Sequence, residues 1–349
     1  MGPRREQRSR GGNDRVEECC MKAVVCTKYG PPEVLQYKEV ETPVPTDDEV
    51  LVKVCAASVN PLDSGTMQGP WIARLMTGGL FEPKFKILGG DVAGRVEAVG
   101  KLVTKFKPGD EVFGGLFGGL FGAKGLGGFA EYVCAVEDWL ALKPVNLSFE
   151  EAAAVPVAAI TALQGLRDKG HIQPGQKVLV DGASGGVGTF AVEIAKSFGA
   201  EVTAVCSTRN LEIARSIGAD HLIDYSREDF TRNGQNYDLI LAANAHHSIF
   251  DYRHALSRNG TFVMVGGALG PMFQVLLLGS LISRTGSKTL RSFLARINHE
   301  DLVFLKDLIE AGKVVPVIDR RYPLSGVAEA LRYLGEGHAQ GKVVIAVAE

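Results

Sequence analysis

Residues 177–200, KVLVDGASGGVGTFAVEIAKSFGA, have the spacing best suited to chemistry. Ala183, Gly185 and Gly188 fill the three positions of a GxGxxG turn, with alanine in the first. A strand ending at Asp181 enters the turn. The helix that leaves it repeats Val187, Ala191, Ile194, Ala195 and Phe198 at helical spacing. The N-terminus of such a helix presents free N–H groups and a positive dipole end. Ser184, Gly185, Gly186, Val187 and Gly188 are therefore expected to cradle a dinucleotide pyrophosphate. Gly185 lets the backbone approach the phosphates, and Gly188 lets helix and strand pack closely.

Cofactor choice is read about 20 residues further on, at the end of the second strand. An acid there would hold a ribose 2′-hydroxyl, but this chain has Ser207, Thr208 and Arg209. Hydroxyls and a guanidinium suit a 2′-phosphate, which favours NADPH over NADH. Arg209 also reads as an exposed residue of a first helical turn. Asn244, and the run Val265, Gly266 and Gly267, follow the fourth and fifth strands, at the carboxyl edge where doubly wound sheets bind ligands.

A second glycine-rich stretch, ILGGDVAGRVEAVG at 87–100, approaches a Walker loop through Gly89, Gly94 and Arg95. Val96 stands where the magnesium-binding hydroxyl belongs, so a metal site and a turn between strands are the readings left.

The elements that must position these residues fall into two kinds. From Met21 to about Leu142, short β-branched runs separated by glycine and proline read as an antiparallel β domain. From Ser148, which could cap a helix carrying Glu150 and Glu151 in its first turn, the period becomes helical. Strands and helices then alternate, which predicts an α/β, Rossmann-type, doubly wound parallel sheet. β character returns in VVPVIDRRYPL and GKVVIAVA. The expected organisation is a disordered extension over 1–20, a β domain over 21–147 completed by about 312–349, and a nucleotide domain over 148–311. GGLFGGLFG at 114–122 reads as a flexible loop or as a flap over the site.

Composition narrows the function classes. At 349 residues two domains are the better expectation, and a net charge of -2 offers no positive field for nucleic acid or an anionic membrane. The six cysteines form no CxxC pair, which suits free thiols in a reducing setting, the cytoplasm or an organelle stroma or matrix. The polar, arginine-rich start lacks the apolar core of a secretory signal, and Met21 reads as a natural start. The longest apolar run, FQVLLLGSLI, is too short for a transmembrane segment and reads as core, pocket lid or subunit contact.

Taken in order, MKAVV, VLVKVCAASVNPLDSG, LGGDVAGRVEAVG, GGFAEYV, AAITALQGL, GASGGVG and GKVVI resemble the medium-chain dehydrogenase/reductase superfamily from Met21 onward. The first domain is then GroES-like. Within the superfamily the chain resembles the zinc-independent quinone oxidoreductases and alkenal/enone reductases. The zinc alcohol dehydrogenases carry a cysteine where this chain has Asn60, and a His-Glu pair where it has Gly90 and Asp91. Neither Asn60 nor Gly90 supplies a zinc ligand, so no metal is expected. The resemblance implies hydride transfer from NADPH to an α,β-unsaturated carbonyl or a quinone, in a homodimer.

It also implies roles for single residues. Asn60 resembles the asparagine beside nicotinamide and substrate, and before Pro61 it also reads as an Asx turn. Asp63 orients Asn60 or the cofactor ribose, or caps a helix. Thr161 resembles the threonine that touches the nicotinamide ribose, or bonds its own helix backbone. Tyr225 resembles a residue near the adenosine phosphate, with surface packing the other reading, and Lys342 reaches the cofactor or simply starts a strand. Two other functions stay open: an enoyl-thioester reductase, and an NADPH-binding structural or regulatory protein.

Overall fold

The computed structural model describes residues 20–70, 74, 79–117 and 125–347. Of the expected leading extension only Cys20 is among them, and it opens the first strand. Residues 118–122 of GGLFGGLFG lie outside the described residues.

Strand β1 (Cys20–Cys26) pairs antiparallel with β2 (Leu35–Glu41) in a small separate sheet. β3 (Glu49–Val59) is buried at every position except Lys53. Val50, Val52 and Val54 pack in one apolar cluster, while Ala57 and Val59 pack in another. The chain then turns at Asn60 into α1 (Pro61–Gln68), with proline at the first helical position, where its missing N–H costs no bond. β4 (Asp91–Val99), β5 (Glu111–Gly115), β6 (Tyr132–Val136) and β7 (Leu140–Leu142) extend the sheet around β3.

Ser148 caps α2 (Phe149–Ala153): its hydroxyl accepts from Glu151 N at 3.3 Å, and the Glu151 carboxylate accepts from Ser148 N at 2.8 Å. The sequence suggests one continuous helix here, but Pro156 cannot donate to the preceding turn, and a new helix α3 (Pro156–Leu163) starts at it. Beyond Leu163 the coil widens, with Gly170 N bonded to Gly165 O at 2.8 Å.

The alternation that follows is β8 (Lys177–Asp181), α4 (Gly186–Ser197), β9 (Glu201–Cys206), α5 (Leu211–Ser216), β10 (His221–Asp224), β11 (Tyr237–Ala242), α6 (Ile249–Ala255), β12 (Leu256–Met264), α7 (Leu269–Thr285), β13 (Thr289–Ser292) and α8 (His299–Glu310). Its six strands run parallel in the order β10-β9-β8-β11-β12-β13. The order reverses between β8 and β11, and a crevice opens there at the carboxyl ends.

β14 (Ile318–Pro323), α9 (Val327–Gly335) and β15 (Lys342–Ala346) complete the first sheet. β15 pairs antiparallel with β3, so that Val343 faces Val59. The β14–β15 pair is parallel, unlike the other pairs of this sheet, because α9 carries the chain back between them. The sheet reads β14-β15-β3-β4-β5-β7, with β6 also on β3.

Candidate active site

A cleft of about 730 Å³ runs between the two sheets. Asn60, Ser184, Gly185, Gly186, Val187, Gly188, Ser207, Thr208, Arg209, Tyr225, Asn244 and Lys342 line it.

Its middle is the turn between β8 and α4. A Cβ at Gly188 would stand 2.0 Å from Gly182 O and 2.7 Å from Ala183 Cα, so only glycine lets α4 sit this close to the turn. The first turn of α4 leaves its N–H groups facing the cleft without helical partners. Behind the turn, buried Asp181 accepts from the Tyr252 hydroxyl at 2.5 Å, and burial pushes its carboxyl up to about 6.

At one end, Thr208 donates to Asp224 at 2.5 Å, and Ser226 donates to the same carboxylate through both N (3.0 Å) and Oγ (2.7 Å). The Thr208 and Ser226 hydroxyls hold Asp224 below the usual carboxylate range. Arg209 and Tyr225 stand beside them, both exposed. Arg209 donates to the His338 carbonyl at 3.1 Å. His338 belongs to loop 336–341, which crosses from the first domain. That loop is tied down twice more, by Gln340 donating to Asn210 at 2.6 Å and by Gly341 N donating to Ser184 O at 2.8 Å. Asn210 in turn donates to the Ser184 hydroxyl at 2.7 Å. Sequence reasoning did not single out Asn210, Ser226, His338 or Gln340. The available signal was the glycine-dense GEGHAQG just before β15.

At the other end lies a buried polar cluster. Asp91 is fully buried and Lys342 is only 3% exposed. Lys342 Nζ donates to Asn60 Oδ1 at 2.7 Å and to Asp91 Oδ2 at 3.1 Å. The same Asp91 oxygen accepts from Asn60 Nδ2 at 2.8 Å and from Ser58 Oγ at 2.7 Å, and Oδ1 accepts from Val157 N at 2.8 Å. Asp63 sits beneath, out of the cleft, where it accepts from Asn60 N at 2.8 Å and Gly89 N at 3.0 Å. Asn60 is the residue at the helix cap and Asp63 lies one turn in, so the capping position expected for Asp63 falls to Asn60. Burial pushes the Asp63 carboxyl up to about 7, against two N–H donors that favour its charged form.

Besides Asp63, four candidate site residues from the sequence lie outside the cleft lining. Thr161 spends its hydroxyl on Val157 O at 2.7 Å, within its own helix. Val265 N bonds Ala242 O at 3.0 Å. Gly266 and Gly267 thread past residues 243–245 so tightly that a Cβ would come within 2.5 Å of Ala243 O and 2.3 Å of Ala245 N.

The parallel sheet with its glycine turn, set across a cleft from a β domain that supplies buried polar groups, defines a two-domain, dinucleotide-dependent oxidoreductase. Residues 46–145 match the model of the alcohol dehydrogenase GroES-like domain, and residues 217–345 match that of the zinc-binding dehydrogenases. The chain is 38% identical to a 2-methylene-furan-3-one reductase of Solanum lycopersicum, over 93% of this chain and 79% of the relative. It is 36% identical, over the same shares, to an Arabidopsis thaliana protein named NADPH-dependent alkenal/one oxidoreductase, chloroplastic. The solved structure of a quinone oxidoreductase from Coxiella burnetii superposes with a TM-score of 0.82 at 30% identity, covering 94% of this chain and all of that one. The chain belongs to the medium-chain dehydrogenase/reductase superfamily, as an oxidoreductase of its quinone oxidoreductase type.

Zinc, which the second matched model names, does not fit the residues present. Asn60 and Gly90 offer neither thiolate nor imidazole, and the Asp91 carboxylate is already taken up by four donors, one of them an ammonium. Among the described residues no group of three or more His, Cys, Asp or Glu is placed to hold a metal. A dinucleotide does fit, because Gly188 permits the close turn and the N-terminus of α4 opens onto the cleft.

Proposed function

We propose that this enzyme transfers hydride from NADPH to an α,β-unsaturated carbonyl or a quinone without zinc. The observation that carries the proposal is the cleft itself. One end presents the exposed Arg209 guanidinium for a 2′-phosphate, and the other offers hydrogen-bond donors with no metal ligand set. When bound, NADPH supplies a hydride from C4 of its nicotinamide. The α4 N-terminus with Gly185 and Gly186 holds the pyrophosphate. Asn60 Nδ2 has one proton beyond its bond to Asp91, and that proton would meet the acceptor's carbonyl oxygen, where negative charge would develop. Val59, Pro61 and Ala158 supply the dry wall. Tyr225 and Asn244, which line the cleft, would contact the cofactor.

The names of the relatives support this acceptor class. The domain limits proposed are 21–147 with 312–349 for the GroES-like part and 148–311 for the Rossmann part. A second copy of the chain is the proposed partner. α7 exposes Leu269, Phe273, Leu276, Leu277 and Leu281, and β13 beside it is the outer strand of its sheet. Among the described residues no helix is long and apolar enough to cross a membrane, and Cys20, Cys26, Cys55 and Cys206 are free thiols. The proposed setting is therefore reducing, either cytoplasm or an organelle stroma or matrix.

The test follows NADPH absorbance with a panel of 2-alkenals, enones, quinones and a crotonyl thioester, with and without chelator. Turnover of an enal, enone or quinone that survives chelation is expected. Loss of activity on chelation, or turnover of the thioester alone, would overturn the proposal. Tight NADPH binding with no turnover at all would favour a binding protein.

A further inference from the structure

An asparagine amide can rotate end for end at almost no steric cost, yet the rotation exchanges a donor for an acceptor. Asn60 lies between two partners that each tolerate only one setting. Lys342 has only donors to offer and meets Oδ1 at 2.7 Å, while the Asp91 oxygen only accepts and meets Nδ2 at 2.8 Å. A reversed amide would press NH2 against an ammonium and a carbonyl oxygen against a carboxylate. The two partners also bond each other at 3.1 Å, so each fixes the other. Burying such a pair is a poor route to stability, since two ions must leave water, and its retention needs another reason.

We propose that Lys342 is a positioning residue, which with Asp91 fixes the polarity of the Asn60 amide so that Nδ2 faces the acceptor. The assignment rests on the hydride-transfer reading above. The stem of Lys342 passes the pyrophosphate turn closely enough that a Cβ at Gly186 would lie 2.9 Å from its Cδ. Backbone pairing of Gly341 N to Ser184 O fixes the start of β15 against the same turn. The amide setting is thereby mechanically joined to the surface that carries the cofactor. Ser58 and Val157 fill the remaining acceptor capacity of Asp91, which prevents the carboxylate from turning away.

The experiment uses the full chain and the best acceptor of the wild type. A Lys342→Met/Asp91→Asn double variant removes both charges and leaves no lone buried ion. It is expected to bind NADPH, by fluorescence titration, within about threefold of wild type while kcat falls by about tenfold or more. Asn60→Ala should lower wild-type kcat by a similar factor, yet by less than about twofold in the double variant, because the amide is already unset. Lys342→Gln, which keeps the shape but can present either an oxygen or an NH2, should reproduce the kcat loss and keeps the test decisive if the double variant does not fold. Wild-type kcat in Lys342→Gln would overturn the proposal. An equal cost of Asn60→Ala in both backgrounds, or a loss confined to NADPH affinity, would also do so. A wild type that turns over no acceptor would instead sink the hydride-transfer reading itself.

Discussion

Glu193 offers a measurement that probes the joint between the two domains. It lies on α4, the helix that carries the pyrophosphate turn, and is 7% exposed. Its Oε1 accepts from Val315 N at 3.1 Å, on the segment between α8 and β14, and its Oε2 is buried with no hydrogen-bond partner. Burial pushes its carboxyl up to about 8, from an ordinary 4.5. A raised acid holds its proton longer in the folded chain than in the unfolded one. Its effect on stability is therefore most favourable below about 4.5 and declines as pH rises towards 8. The interval corresponds to on the order of 3–5 kcal/mol at about 1.36 kcal/mol per pH unit, allowing for relaxation of the site. Glu193→Gln keeps the acceptor for Val315 and cannot ionise. Asp63 and Asp181 shift in the same direction but are present in both proteins, so the difference between the two isolates Glu193. Thermal melts from pH 4.5 to 9 should show the variant gaining on wild type up to about pH 8 and levelling off above it. At roughly 2–4 °C per kcal/mol for a unit of ~150–250 residues, the shift is on the order of 6–20 °C. Melting curves that stay parallel across that range would refute the reasoning.

Two further outcomes bear on the proposed cofactor and partner. Arg209→Ala should raise the KM for NADPH by roughly 10- to 150-fold, the equivalent of one charged hydrogen bond at about 1.5–3 kcal/mol, and leave NADH unchanged; an unaltered NADPH/NADH preference would remove Arg209 from cofactor choice. Leu277→Glu, at a position 74% exposed on α7, should halve the mass seen by light scattering without lowering cofactor affinity, whereas a wild type already monomeric would dismiss the second copy.

The parallel sheet was legible because local signals agree. Strand, glycine turn and helix follow one another within residues 177–200, and the apolar spacing of α4 carries the pattern onward. The break before α3 was less legible, since an alanine-rich run masks the effect of Pro156. The polar cluster was legible only in part. Asn60 stands out before a proline, but its bond to Lys342 joins residues 282 positions apart, and no period or motif encodes such a pairing. Lys342 begins a strand as an exposed lysine would, and its burial follows from β15 inserting beside β3. The bonds from loop 336–341 to Ser184, Arg209 and Asn210 depend equally on how the two domains meet.

The placement of β15 also has a consequence for synthesis on the ribosome. β3 is among the first strands made and β15 the last, so one neighbour of the longest strand arrives only after the entire nucleotide domain has been translated. At roughly 5–20 residues per second that delay is on the order of 15–60 s. Through it the nascent β3 offers an open hydrogen-bonding edge over Ala56, Ala57, Ser58 and Val59, which β6 does not cover and a neighbouring nascent chain could occupy. The strand that brings Lys342 to Asn60 is thus also the one whose arrival ends the exposure of the newborn first domain.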